Sequence, residues 1–153
     1  MSVKEIKELA VEIGYLEGYE YWIAPCPTSS GFNGYLVFPK RPVRERGYDG
    51  ILTYVPVHGG ITLAKPLEGA MVYGFDTAHS DSDKYPISDK NWIKEQLQIM
   101  LKGILKAKEV EEKYLRALTN KTKAKYAQEV IDTGHDKSYS NFGIDIRILT
   151  REL

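Results

Sequence analysis

The sequence predicts a single α+β domain: a central, mainly antiparallel sheet with an N-terminal helix and a long C-terminal helical segment. Short apolar and β-branched runs gather in the middle of the chain, and amphipathic helical periodicity lies towards its two ends. The strands do not alternate with helices, as a doubly wound parallel sheet would require. The length of 153 residues is that of one domain, so we expect residues 1–153 to share one core.

The composition is that of an ordinary globular protein, with 42% hydrophobic and 27% charged residues. Lys plus Arg and Asp plus Glu each number 21, so no net charge attracts nucleic acid or acidic membrane, although a local basic patch remains open. No apolar run spans a bilayer, the N-terminus lacks a signal-peptide core, and the single Cys26 can form no internal disulfide. We therefore expect a cytoplasmic protein that contacts no membrane.

The first part of the chain is predicted to be a helix followed by a hairpin. Apolar residues recur at three- and four-residue steps across residues 3–16, which indicates an amphipathic helix. Residues 21–24 and 35–38 are short aromatic and aliphatic runs ended by proline, and the turn-rich segment between them favours their pairing. The polar residues 40–50 are expected to form an exposed loop.

The middle of the chain is predicted to supply the rest of the sheet. Residues 51–57 are β-branched and aromatic, and Pro56 indicates an edge strand or a bulge. Residues 61–63 can form another brief strand, and residues 70–75 form a buried one. The polar residues 76–89 then form a loop before the helical segment begins.

The last part of the chain is predicted to be helical, with one closing strand. Ser88 or Asp89 caps a long helix whose apolar stripe continues to Leu118, and the stripe fits either a core face or a dimer seam. A break at Thr119 and Asn120 should precede a second helix over residues 122–131. Residues 144–148 alternate as a half-buried strand.

Two segments carry the strongest functional signal, VHGGIT at residues 57–62 and GFDTAHSD at residues 74–81, since each ends a predicted strand. If these strands are neighbours, His58, Asp76, His79 and Asp81 converge at one edge. Two imidazoles and two carboxylates are a common ligand set for Zn²⁺, Mn²⁺ or Fe²⁺, and such an ion acidifies a bound water for hydrolysis. These four are the candidate catalytic and metal-ligating residues. Each alone could equally be a turn or capping residue.

The candidate substrate-binding residues are Gly59, Gly60, Arg41 and Arg44. The glycines lack Cβ atoms and let a substrate or phosphate approach backbone N–H donors, and the arginines of the basic loop could hold phosphates. A solvated loop is the alternative for the arginines. Neither a P-loop nor GxGxxG nor GxSxG is present, so kinase, ATPase, nicotinamide dehydrogenase and α/β-hydrolase assignments have no support.

The motif pair VHGGIT and GFDTAHSD, preceded by GYLVFP at residues 34–39, resembles an uncharacterised family of phage, prophage and plasmid proteins. That family has a VHGG(L/I)T…GFDxAH(x)D pattern, and the resemblance covers roughly residues 35–101. It implies a mobile-element accessory protein and a site, but no reaction. A cysteine often occupies the position of Thr77 in that pattern, so the threonine argues against a cysteine nucleophile or thiolate ligand there.

Three functions are consistent with the sequence. The first is a metal-assisted hydrolase of a phosphate-containing substrate, such as a nucleotide or nucleic acid. The second is a non-enzymatic viral or plasmid protein that binds a nucleotide signal or a host protein. The third is a structural protein in which the long helix mediates homo-oligomerisation.

Overall fold

A computed structural model describes residues 1–117, with side chains to residue 115. This part of the chain is a single α+β domain built on a five-stranded antiparallel sheet, which confirms the predicted class. A short N-terminal helix packs on one face and a long helix packs on the other. The predicted break at Thr119 and Asn120, the helix at 122–131 and the strand at 144–148 lie outside the described residues.

The elements follow one another in a simple order. They are α1 (Val3–Glu8), β1 (Glu12–Leu16), β2 (Tyr19–Pro25), β3 (Phe32–Phe38), a 3₁₀ helix (Ile51–Tyr54), β4 (Leu63–Leu67), β5 (Ala70–Phe75), a second 3₁₀ helix (Ser82–Lys84) and α2 (Lys90–Ala117). The sheet order is β1-β2-β3-β5-β4, and each neighbouring pair is antiparallel. The predicted pairing of residues 21–24 with 35–38 is confirmed as part of the β2–β3 ladder.

The N-terminal helix is much shorter than predicted. Ser2 caps α1 by accepting a hydrogen bond from the Glu5 N–H, and the helix ends at Glu8. The following residues form β1, which pairs with β2 across a two-residue turn at Glu17 and Gly18. Both turn residues have positive φ, 51° and 85°, as in the type I′ turns that suit hairpins. Ladder formation with β2 therefore overrides the helical periodicity of residues 9–16.

Residues 51–57 do not form the predicted strand, and the strand predicted at residues 61–63 begins only at Leu63. Residues 51–54 form a 3₁₀ helix because the buried Glu45 carboxylate accepts hydrogen bonds from the N–H groups of Gly50 and Leu52. The strand β4 begins only at Leu63 and runs through Pro66, which edge strands tolerate. Glu68 and Gly69, with φ of 48° and 87°, then close a second two-residue hairpin with β5.

The apolar stripe of α2 is a core face. Its residues Ile93, Leu97, Met100, Leu101 and Ile104 are at most 1% exposed and belong to the larger core with β2, β3 and β5. The dimer-seam alternative is therefore not needed to explain this stripe. Asp89 assists the start of the helix, since its Oδ1 accepts a hydrogen bond from the Asn91 N–H. Within the described residues, neither helix has the length and apolar character of a bilayer-spanning segment.

Candidate functional site

The two motif segments meet at one end of the sheet. The Thr62 N–H donates a 2.8 Å hydrogen bond to the Gly74 carbonyl, which holds residues 57–62 beside the end of β5. The loop that follows β5 then turns back over His58. The structure thus brings His58, Asp76 and His79 together, and it adds Ser82. We call these four residues the histidine edge.

His58 is fixed by both its backbone and its ring. Its N–H donates a 3.0 Å hydrogen bond to Oε1 of Gln96 on α2, and its Nε2 lies 2.9 Å from Oγ of Ser82. Ser82 is only 2% exposed and also accepts a hydrogen bond from the His79 N–H at 3.1 Å. One buried hydroxyl therefore ties the two motif segments together.

His79 stands beside both a carboxylate and the other imidazole. Its Nε2 lies 3.2 Å from Oδ1 of Asp76, and the rings of His58 and His79 are 5.6 Å apart in an edge-to-face arrangement. The Nε2 atom is buried and makes no well-directed hydrogen bond to any described residue, so its contact with Asp76 is electrostatic. The same Asp76 oxygen accepts a hydrogen bond from the Ala78 N–H.

Gly59 is required where the turn passes His79. Its φ is 68°, and a Cβ atom at this position would collide with the His79 ring. The Gly59 N–H has no hydrogen-bond partner among residues 1–117, whereas the Gly60 N–H donates to the Val57 carbonyl at 2.8 Å. Of the two glycines, only Gly59 therefore offers the backbone donor expected from the sequence.

Two aromatic rings complete the surroundings of His58. The rings of Tyr85 and Trp92 lie 4.9 and 5.2 Å from the His58 ring, and they stack on each other at 5.8 Å with 29° between their planes. Tyr85 is 44% exposed, so one aromatic surface of the site is open to solvent. This surface can stack against a planar ligand group.

Burial lowers the pKa of His58, and the neighbouring His79 lowers it further, while Asp81 and Asp76 act in the opposite direction. The imidazole is therefore neutral at pH 7 and keeps one nitrogen as an acceptor. With a fixed position and a neutral ring, His58 can accept a proton or a hydrogen bond from a bound molecule.

The other predicted site residues lie outside this cluster. Asp81 is exposed, and its side chain makes no hydrogen bond within the described residues, but its charge raises the pKa of His58 more than the charge of Asp76 does. Arg41 and Arg44 follow β3, whose Phe38 end pairs with the start of β5, so they lie at the opposite end of the sheet from Asp76. The arginines therefore do not share a site with the histidines.

The described residues contain no group of three or more His, Cys, Asp and Glu side chains arranged to hold a metal ion. His58 Nε2 already contacts Ser82. The closest approach to a ligand set is the trio His58, His79 and Asp76, in which two imidazoles and one carboxylate would have to reorient around an ion.

Thr77 has a structural environment. It is 1% exposed, its hydroxyl donates to the Phe32 carbonyl at 3.1 Å, and it lies 3.1 Å from Oγ of Ser29. Its N–H donates to Oδ1 of Asn33. These contacts join the end of β5 to β3 and to the loop after β2. The nearby Cys26 is buried.

Sequence reasoning missed Gln96, Tyr85 and Trp92 as neighbours of His58, and it gave Ser82 no role of its own. The fold and the site together define a single-domain α+β protein with a cluster of histidines at one end of an antiparallel sheet. Comparison of the chain with protein-family models, with curated proteins and with solved structures gave no match.

Proposed function

We propose that this protein binds a small phosphate-containing ligand with a planar base, such as a nucleotide, at the histidine edge and without a metal ion. The observation that carries the proposal is the packing of the neutral His58 against the half-open Tyr85–Trp92 stack. An aromatic surface of this kind supports base stacking, which contributes about 1–3 kcal/mol per base. Neighbouring polar groups then supply the contacts that orient the ligand.

The phosphate-binding part of the proposal is supported by the turn at Gly59. The Gly59 N–H has no partner among the described residues and lies on an exposed, left-handed turn beside His79. Backbone N–H groups in such turns bind anions. The His79 ring lies against the same turn and can donate a hydrogen bond to a bound anion.

The test is a binding titration with adenosine 5′-monophosphate and guanosine 5′-monophosphate in the presence of EDTA. Wild type should bind at least one of them, and Tyr85→Ser should weaken binding about tenfold because it removes an exposed stacking ring. Tyr15→Ser is the matched control, since Tyr15 is 70% exposed on the edge strand β1 and takes no part in the site. Unchanged affinity in Tyr85→Ser, or no binding of either nucleotide, would contradict the proposal.

A metal-assisted hydrolase of a phosphate-containing substrate is the second candidate, favoured by the joint placement of His58, His79 and Asp76. In this function the imidazoles and the carboxylate would hold Zn²⁺, Mn²⁺ or Fe²⁺, which would activate a water. Elemental analysis of untagged wild type and His58→Ala decides between the two. Near-stoichiometric metal that is lost in the variant supports the hydrolase. The hydrolase is excluded if the protein is metal-free and its melting temperature does not change when divalent ions are added.

The biological setting we propose is that of a viral or plasmid accessory protein in the cytoplasm, acting on a nucleotide, a nucleic acid or a host protein. It is supported by the motif pair at residues 57–62 and 74–81 alone. A self-assembling role has less support, because the apolar stripe of α2 is already buried against the sheet.

A further inference from the structure

A concave surface lies at the opposite end of the sheet from the histidine edge. It is a groove of about 480 Å³ between the start of β2, the end of β3 with the loop that follows, and α2. This volume is within the range of small-molecule sites, about 300–1,000 Å³. We call it the basic groove.

The floor of the basic groove is apolar and aromatic. The rings of Tyr19 and Phe38 lie 4.9 Å apart, tilted by 47°, and Leu105 of α2 completes the floor. Phe38 is buried, whereas Tyr19 and Leu105 are half-buried and keep part of their surface available. Such a floor favours the apolar part of a ligand.

The rim carries three cations, Lys40, Arg41 and Lys108. All three are exposed, and in the described part of the chain no carboxylate lies within 4.0 Å of them. Lys113, on the same helix as Lys108, is by contrast paired with Glu109. Because the whole chain has no net charge, the rim is a local excess of positive charge.

The loop that supplies two of these cations is anchored close by. The Arg44 N–H donates to both carboxylate oxygens of Glu111 on α2, at 3.1 and 3.2 Å, and Val43 is 2% exposed. The anchor holds the backbone of residues 40–44 against α2. Cations on a fixed backbone lose less conformational entropy when they bind a ligand.

We propose that the basic groove binds a small anion that carries an apolar or aromatic part, as in an aryl phosphate. The Arg41 guanidinium can contact a phosphate through two N–H donors, and Lys40 and Lys108 add charge, while the ring lies on Tyr19 and Leu105. This site is separate from the histidine edge, and its occupation does not depend on the function proposed for that edge.

The test is an NMR titration of isotope-labelled wild type with phenyl phosphate, compared with inorganic phosphate and with phenol. Phenyl phosphate should give saturable shifts at the amides of Leu105 and Lys108, and it should bind more tightly than either half-molecule. Arg41→Gln and Lys108→Gln should each weaken binding about tenfold, since each removes one charge-assisted contact. Melting temperatures should stay unchanged, because both side chains are exposed.

Lys102→Gln is the matched control, an exposed lysine of α2 that does not line the groove. It should bind phenyl phosphate as wild type does. Absence of saturable shifts at the groove, or shifts confined to His58 and His79, would overturn the proposal. Unchanged affinity in the Arg41→Gln, Lys108→Gln double variant would overturn it as well. Shifts at His58 and His79 would report binding at the histidine edge, which the nucleotide titration with Tyr85→Ser tests separately.

Discussion

Gly59 and His79 lie in such close contact that one methyl group should disturb the histidine edge. In Gly59→Ala the new Cβ would overlap the His79 ring, and its φ of 68° is unfavourable for alanine. We expect the free energy of unfolding to fall by about 2–4 kcal/mol, from backbone strain and overpacking together. Urea denaturation measures the change.

Gly60→Ala is the matched control for this prediction. Its φ of 78° imposes the same kind of backbone strain, but no atom lies within 4 Å of the added Cβ. We expect a loss of only about 1–2 kcal/mol. Equal losses in the two variants would show that the contact between Gly59 and His79 is not tight in solution.

At the residue scale the sequence predicted the approach of His58 to Asp76 and His79, but for the wrong reason. Residues 51–54 form a 3₁₀ helix instead of a neighbouring strand, and the hydrogen bond from Thr62 to Gly74 places the segment that contains His58. The contacts with Ser82 and Gln96 were not predictable, since these residues are 24 and 38 positions away from His58. No periodicity or spacing in one sequence links such positions. The placement of Arg41 and Arg44 failed for a related reason, because the direction of β3 decides at which end of the sheet they lie.

The two hairpin turns at Glu17–Gly18 and Glu68–Gly69 offer a stability prediction for the strands. Both glutamates have φ near 50°, which is left-handed and costs most residues about 1 kcal/mol, whereas asparagine tolerates it and is favoured in type I′ turns. We expect Glu68→Asn to raise the free energy of unfolding by up to about 1 kcal/mol. Thermal or urea denaturation provides the measurement.

Glu68→Gln separates backbone conformation from charge in this experiment. It removes the same negative charge as Glu68→Asn but retains a side chain that does not favour left-handed backbone. We expect its stability to match wild type. A gain as large as that of the asparagine variant would attribute the effect to charge, and the turn explanation would then fail.

The same two turns explain one error in the predicted elements. Each reads Leu-Glu-Gly, which lacks the Asn-Gly or Asp-Gly pair that usually indicates a type I′ hairpin. Because that pair is absent, the helical periodicity that begins in α1 led to the prediction of a helix that also covers residues 9–16. The error at residues 51–57 arose differently, because a buried Glu45 carboxylate satisfies the backbone there and no local pattern shows that.

At the scale of the whole molecule, Glu111 couples stability to pH. Burial raises the pKa of this carboxyl to about 7, the Glu45 and Glu112 carboxylates raise it further, and the Arg44 N–H and guanidinium oppose the rise. Tyr73 is a further titratable neighbour. The folded state therefore retains a proton that the unfolded chain, with a pKa of 4.5, releases.

It follows that the stabilisation is complete below about pH 4.5 and is lost as the pH rises through 7. Between pH 5 and 8.5 the free energy of unfolding should fall by on the order of 3 kcal/mol from this group. Glu111→Gln can still accept the Arg44 hydrogen bond and should flatten this fall. Urea denaturation at several pH values tests it.

Glu112→Gln is the control for this pH dependence, because Glu112 is exposed on the next position of α2. It should keep the fall in stability between pH 5 and 8.5. If Glu111→Gln showed the same slope as wild type, Glu111 would not be the group that titrates.

The α+β class was predictable at this scale because clustered strands and terminal helices follow from hydrophobic periodicity. The position of the basic groove was not, since it depends on which strand ends face α2. The burial of Glu45 and Glu111 was equally hidden, because charged residues in a polar loop and on a helix are exposed in most proteins.

The order of the strands also limits how copies of this molecule could join. Among residues 1–117, β1 and β4 are the two edges of the sheet. Pro66 interrupts the donors of β4, whereas β1 contains no proline and exposes Ile13 and Tyr15. A sheet with one open edge can extend across one junction and no further. For the sheet formed by residues 1–117, strand addition through β1 would therefore close at two copies, because Pro66 interrupts the other edge.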